Sequence, residues 1–171
     1  FGLVTYFVIN KNTAQQFAVI NIESAEKILT DTLPDGSVIT VNKNSKLSYP
    51  LKFNGNAREI TMEGEAFFTI APDKTKPFII HVNDITVKVV GTSFNIKSVN
   101  GKTEVIVETG IVQVTKQNST VELAPGQKVV TAINDASIVK DSATDKLYNY
   151  YRSKEFICDN TPLKRLVEIL N

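Results

Sequence analysis

Glu63 and Glu65 flank Gly64, and residues two apart on an extended strand point to the same face. Two carboxylates about 6–7 Å apart would suit a glycosidase pair. Acid and base roles need unequal environments, however, and near neighbours on one strand give no source of inequality. The plainer reading is a solvated strand face with Arg58 or a lysine opposite. His81 sits in the apolar run Phe78–Val82 without a companion motif, so it reads as a strand histidine, solvated or hydrogen-bonded within the sheet. Cys158, beside Phe156 and Ile157, reads as a small buried hydrophobe rather than a nucleophile. Residues 118–120 match a glycosylation sequon and equally read as a turn between Val114 and Val121.

The counts restrict the chemistry further. With one His and one Cys in 171 residues, a His/Cys zinc site lacks ligands. A Ser–His–Asp triad would have only His81 to use. No glycine-rich phosphate loop is present, and no cofactor is expected. The net charge of +1 lacks the basic excess of a nucleic-acid binder. Taken together, these residues do not describe an enzyme.

The elements follow from composition and period. Val, Ile and Thr number 19, 17 and 17, against 10 Ala and 10 Leu; β-branched side chains suit a pleated, half-buried surface. A chain of this length buries roughly 70% of its unfolded surface, enough for a core without disulfides. From about Phe17 to Val139 the chain alternates apolar and polar residues in short runs, as in Ile85–Val89 and Val105–Val107. Turn chemistry falls between the runs at Asp35–Gly36, Asn54–Asn56, Asn83–Asp84, Asn100–Gly101 and Pro125–Gly126. The pattern predicts an all-β domain, an antiparallel β-sandwich or barrel-like fold of many short strands, over residues 17–140.

The ends differ. Phe1–Ile9 is a long uncharged apolar run that would rise about 14 Å as a helix, roughly half a bilayer core. It reads either as the end of a transmembrane helix or as a buried first strand, and because the chain opens on Phe1 both readings of residues 1–16 stay open. Residues 141–153 are expected to be a linker. Lys154–Cys158 reads as one more strand. Thr161 and Pro162 then make a helix start, with Leu163, Leu166, Val167 and Leu170 as its apolar stripe. Residues 154–171 are therefore expected to begin a small α/β domain that is incomplete here.

Several short motifs in order resemble the FecR family, the periplasmic part of transmembrane anti-sigma regulators, in its Bacteroidetes-type form. They are Leu33, Pro34, Asp35 and Gly36 in LPDGSV, with Asn42 and the run Ser45–Pro50 downstream; Gly64, Glu65, Phe67 and Phe68 in GEAFF; and Gly91, Thr92, Phe94 and Asn95 in VGTSFN. Gly110 in GIVQV and Pro125, Gly126 and Gln127 in LAPGQ complete the set. Phe156, Pro162 and Leu163 resemble the start of the short α/β signalling domain found in secretins and TonB-dependent receptors. Physically the motifs read as architecture. Asp35–Gly36 turns a hairpin, and Phe67, Phe68 and Phe94 anchor a core. Gly64, Gly91 and Gly110 sit where a side chain would clash or φ is positive, while Asn95 and Gln127 satisfy strand-end backbone groups.

The resemblance implies a signal relay, anchored to the inner membrane by one helix. A TonB-dependent outer-membrane transporter would present its periplasmic signalling domain to this region, with Phe156, Pro162 and Leu163 at the contact. The sigma factor would be held by a cytoplasmic segment outside this chain. The competing reading is a ligand-binding domain, for example for carbohydrate, using Tyr148, Tyr150 and Tyr151 for stacking; on the plainer view those tyrosines cover a hydrophobic junction.

Overall fold

The computed structural model describes residues 18–136, 138–158 and 161–170. The apolar run Phe1–Ile9, expected as membrane helix or strand, lies outside the described residues. Thirteen strands follow in order: β1 Val19–Ser24, β2 Leu29–Thr32, β3 Val38–Val41, β4 Ser45–Pro50, β5 Arg58–Thr69, β6 Phe78–Val82, β7 Ile85–Val89, β8 Ser93–Val99, β9 Lys102–Thr109, β10 Val112–Lys116, β11 Ser119–Leu123, β12 Gln127–Ala132 and β13 Lys140–Ser142.

The long strand β5 belongs to two sheets. Its first half pairs with β4 on one side and β6 on the other, extending to the order β1-β4-β5-β6-β7-β10-β11. Its second half pairs with β3 and β8, giving β2-β3-β5-β8-β9-β12-β13. The two sheets enclose one core in a barrel-like sandwich, so the all-β expectation holds. One detail departs from it: β5 and β6 run parallel. The residues between these two strands cross over rather than turn back, and alternation alone does not distinguish the two directions.

The change of sheet occurs at Gly64, where φ is +87°. On the neighbouring chain, Asn42–Asn44 crosses from β3 to β4 at the same corner, with Asn44 at φ +53°. The Asn42 N–H donates to the Glu65 carbonyl at 2.8 Å, and the Glu65 N–H donates to the Ser45 hydroxyl at 2.8 Å. Inward residues of both sheets meet in the core, where Phe68 and Phe94 stack with ring centroids 5.1 Å apart.

Four local expectations are corrected. Residues 141–153, expected to be a linker, hold elements of their own: β13 is followed by a 3-10 turn at Leu147–Asn149 and one helical turn, α1 Tyr150–Ser153. Leu147, Tyr148 and Tyr151 are buried there. Lys154–Cys158 forms no strand. Lys154 takes a left-handed φ of +59° and donates to the Tyr150 carbonyl, ending α1 rather than opening a strand. Cys158 is exposed, not buried. The helix after Pro162 is present as α2 Leu163–Leu170, but the Thr161 hydroxyl has no hydrogen-bond partner among the described residues. The first helical amide bonds run instead to the Pro162 carbonyl.

Candidate functional site

On β5, Phe68 points into the shared core and Phe67 to the other side of the same sheet, as strand geometry requires. That outer face of the second sheet carries Glu65 and Phe67 from β5, Asn95 and Lys97 from β8, and Glu104, Ile106 and Glu108 from β9. Register places them in rows: Glu65 opposite Lys97 opposite Glu104, and Phe67 opposite Asn95 opposite Ile106. A face this polar would ordinarily stay in water. Here the segment Ala143–Ser153 lies across it, and Phe67, Ile106, Tyr148 and Tyr151 form a second, smaller apolar cluster apart from the main core.

The cluster is laced by polar contacts. The Tyr151 hydroxyl donates to Asn95 Oδ1 at 2.8 Å. Asn95 Nδ2 in turn donates to Glu65 Oε1 at 3.0 Å, and Asn42 Nδ2 donates to Glu65 Oε2 at 3.0 Å. The Tyr150 hydroxyl accepts from the same Asn42 amide at 3.3 Å. The Arg152 guanidinium lies over the Phe67 ring, 3.1 Å from its centroid, and pairs with Glu108 at 3.2 Å. Arg165 of α2 reaches Glu104 at 2.8 Å and Asp145 at 3.5 Å. Asp145 also accepts from the Leu147 N–H at 2.9 Å, so one carboxylate both steadies the 3-10 turn and meets the helix.

Glu65 is therefore not on a solvated face, and Arg58 is not its partner. A lysine does stand opposite each carboxylate, Lys97 across from Glu65 and Lys46 across from Glu63, and Glu63 stays exposed. Burial pushes the Glu65 carboxyl upward, opposed by the charge of Lys97 and by the Asn95 and Asn42 amides. Burial likewise raises the Tyr151 and Tyr148 phenols. Both Glu65 oxygens accept from amide donors, an arrangement that holds a shape. The sign for stability follows from the raised value. The protonated acid is favoured in the fold, so its contribution is full in acid and lost as pH rises through the native value. Comparing Glu65→Gln with the parent by denaturant melts from about pH 4 to about pH 8 should show this component vanish in the variant. The variant should also lose roughly 1–3 kcal/mol, since one amide donor then faces a second donor.

The expected motif residues fall in separate places. Leu33, Pro34, Asp35 and Gly36 form the turn between β2 and β3, closed by Leu33 and Ser37 at 2.8 Å. Asp35 does more than turn the chain: it meets the Arg58 guanidinium at 2.6 Å. A Cβ on Gly91 would lie 2.8 Å from Pro72 Cα, and one on Gly110 would lie 2.6 Å from the Thr92 methyl. Pro125 and Gly126 turn β11 into β12, and Gln127 accepts from the Ala124 N–H at 2.9 Å. Asn95 departs from its expected role, since its side chain bonds Tyr151 and Glu65 rather than strand-end backbone.

Phe156 stacks on Tyr150, with centroids 5.5 Å apart, and remains 49% exposed. Leu163 is 75% exposed, Pro162 is exposed, and Ile157 and Val167 lie open nearby in sequence. The tyrosine run is mostly taken up by the fold, because Tyr148 and Tyr151 are buried against Phe67 and Ile106. Among the described residues no group of three or more His, Cys, Asp or Glu side chains could hold a metal ion. Sequence reasoning did not find Arg152, Glu108, Glu104, Asp145 or Arg165. Single charges carry no periodic signal, and only the adjacent tyrosines hinted that this segment covers something.

A family model described as FecR protein matches residues 20–113. Two crystal structures of a candidate anti-sigma factor from Parabacteroides distasonis superpose with TM-scores of 0.70 and 0.69, both at 34% identity. The match covers 73% and 72% of this chain and 60% and 59% of theirs, so this chain spans about three fifths of those proteins. No curated protein sequence matches.

Proposed function

The chain belongs to the FecR family, and from that membership we propose that it is the periplasmic relay region of a membrane-anchored anti-sigma regulator. In this reading a TonB-dependent outer-membrane transporter presents its periplasmic signalling domain, this region engages it, and a cytoplasmic segment outside the chain passes the event to a sigma factor. The region works by binding, with no catalytic step. Support comes from the candidate anti-sigma factors it superposes on. Among the described residues no helix is long and apolar enough to cross a membrane.

The observation that carries the proposal is the open apolar group Phe156, Ile157, Leu163 and Val167 beside a segment packed onto the β domain. Leu163 and Val167 are one helical turn apart and share a face. Their neighbour Arg165 is turned to Glu104 and Asp145. A partner covering the outer face of α2 would thus touch a helix already tied to the sheet.

Calorimetry between the periplasmic region and the signalling domains of the TonB-dependent transporters of the same genome should show saturable binding to one of them. Leu163→Asp combined with Val167→Asp should weaken that binding by at least about tenfold, with an unchanged melting temperature for the β domain. Absence of binding by the parent protein to every such signalling domain in its genome would overturn the relay reading.

A further inference from the structure

We infer that Ala143–Ser153 is a clasp that leaves the β domain as a unit while the sandwich stays folded, and that its docked state positions Phe156 and α2 for the partner. The second half of this statement rests on the relay reading above; the first does not. Three observations carry it. The first is the separation of the two cores. Phe68 and Phe94 stack inside the sandwich, whereas Phe67, Ile106, Tyr148 and Tyr151 pack on the far side of the sheet. Removing the clasp therefore opens the smaller cluster and uncovers Leu147, while Phe68 and Phe94 stay in the main core. Segments that can open below the cost of global unfolding are those with few buried apolar contacts of their own.

The second observation is how the clasp is held. After β13 leaves the edge of the sheet, its attachments are side-chain contacts: Tyr151 to Asn95, Tyr150 to Asn42, and Arg152 to Glu108 and the Phe67 ring. Among the described residues, the one backbone bond to a strand-connecting turn is from the Ala143 N–H to the Gly126 carbonyl at 2.8 Å. Tyr151, Asn95 and Glu65 form a single chain of bonds, so releasing the hydroxyl leaves Asn95 Oδ1 without its donor. Such a network favours a docked or an undocked state over intermediates.

The third observation is the link outward. Tyr150 holds Phe156 by stacking, and Asp145 holds both the 3-10 turn and Arg165 of α2. The exposed apolar group is thus laid out by the docked clasp. By reciprocity a partner that reads this layout must favour docking. Tyr151, Asn95 and Glu65 are positioning residues in this scheme, since none touches the exposed group.

Amide hydrogen exchange on the whole chain decides the matter. The amides of Ala143, Leu147, Asn149 and Lys154 should exchange faster than those of Phe68 and Phe94 under native conditions. Tyr151→Phe should accelerate the first set roughly 2- to 12-fold, the effect of one hydrogen bond, and leave the second set unchanged. The pair Tyr148→Ala with Tyr151→Ala should open the clasp fully and mobilise a nitroxide on the native Cys158, with Phe68 and Phe94 still protected. Equal exchange of both sets in the parent protein, or loss of protection throughout in the double variant, overturns the clasp.

The partner arm is separate. Adding the transporter signalling domain at about 100 times its Kd should slow clasp exchange by about 100-fold. Acceleration, or no change at saturation, overturns the positioning role while leaving the relay reading intact. Failure to bind the parent protein at all sinks the relay reading and the positioning role that rests on it, and leaves the clasp to be judged by exchange alone.

Discussion

Gly64→Ala should lower the stability of this protein by about 2–5 kcal/mol, more than any other single methyl group added at a described glycine. Two costs combine. An L-residue at φ +87° carries roughly 1–2 kcal/mol of backbone strain. The new Cβ would collide with Ser45 Oγ and lie 2.8 Å from Ser45 Cα. The second contact is with backbone, and Ser45 is buried at the corner where the chain changes sheets, so relief requires moving β4 against β5. Overpacking of that kind costs about 1–3 kcal/mol. Gly126→Ala is the matched control, with φ +77° and nothing within 4 Å of the added carbon; it should show the strain alone. Thermal melts of both variants test the difference, with a shift on the order of 10 °C expected for Gly64→Ala. Equal melting temperatures would mean that the corner yields.

Arg58→Met should cost about 3–5 kcal/mol, for an electrostatic reason rather than a steric one. Arg58 is 2% exposed. It donates to the Lys76 carbonyl at 2.8 Å, the Ala71 carbonyl at 2.9 Å and the Asp35 carboxylate at 2.6 Å, with its guanidinium 5.3 Å from the Phe78 ring centre. One side chain thereby ties the Leu33–Ser37 turn and the 71–76 loop to the start of β5. Removing it strands a partly buried carboxylate and two carbonyls, and breaking one side of a buried pair is the expensive direction. Arg58→Lys should recover little, because a point charge cannot serve three diverging acceptors. Adding Asp35→Ala to Arg58→Met should cost less than the sum of the single changes, which urea melts of the four-member cycle would read directly.

The two predictions differ in how visible their causes are before the fold is known. Gly64 stands in a short motif, and its conformational role could be anticipated from the lack of a Cβ. Its clash partner could not, since Ser45 arrives from another strand. Arg58 is a lone charge in the sequence, and its natural partner looked to be the nearby Glu63 or Glu65. The actual partner, Asp35, is 23 residues away in a turn that already had a sufficient explanation. Strand period fared similarly with Glu65. Alternation puts it on the side opposite Ala66 and Phe68, as found, but alternation says nothing of what lies over that side. The covering residues, Tyr148 and Tyr151, come some 80 positions later. At Lys154–Cys158 the apolar pair Phe156 and Ile157 suggested a strand. The left-handed Lys154 and the stacking of Phe156 on Tyr150 took the segment elsewhere.

What the sequence determined by itself is the local and the periodic. The strand-rich composition, the turns at Asp35–Gly36 and Pro125–Gly126, and the inward Phe68 and Phe94 follow from side-chain shape and from a period of two. The ordered motifs place the chain in its family. What only the tertiary structure decided is the pairing of polar groups: Arg58 with Asp35, Glu65 with Asn42 and Asn95, Tyr151 with Asn95, and Arg165 with Glu104. Apolar burial tolerates many neighbours and so is written into each residue's own type. A hydrogen bond or ion pair requires one partner within about 3 Å, and closure of the whole fold brings that partner into range.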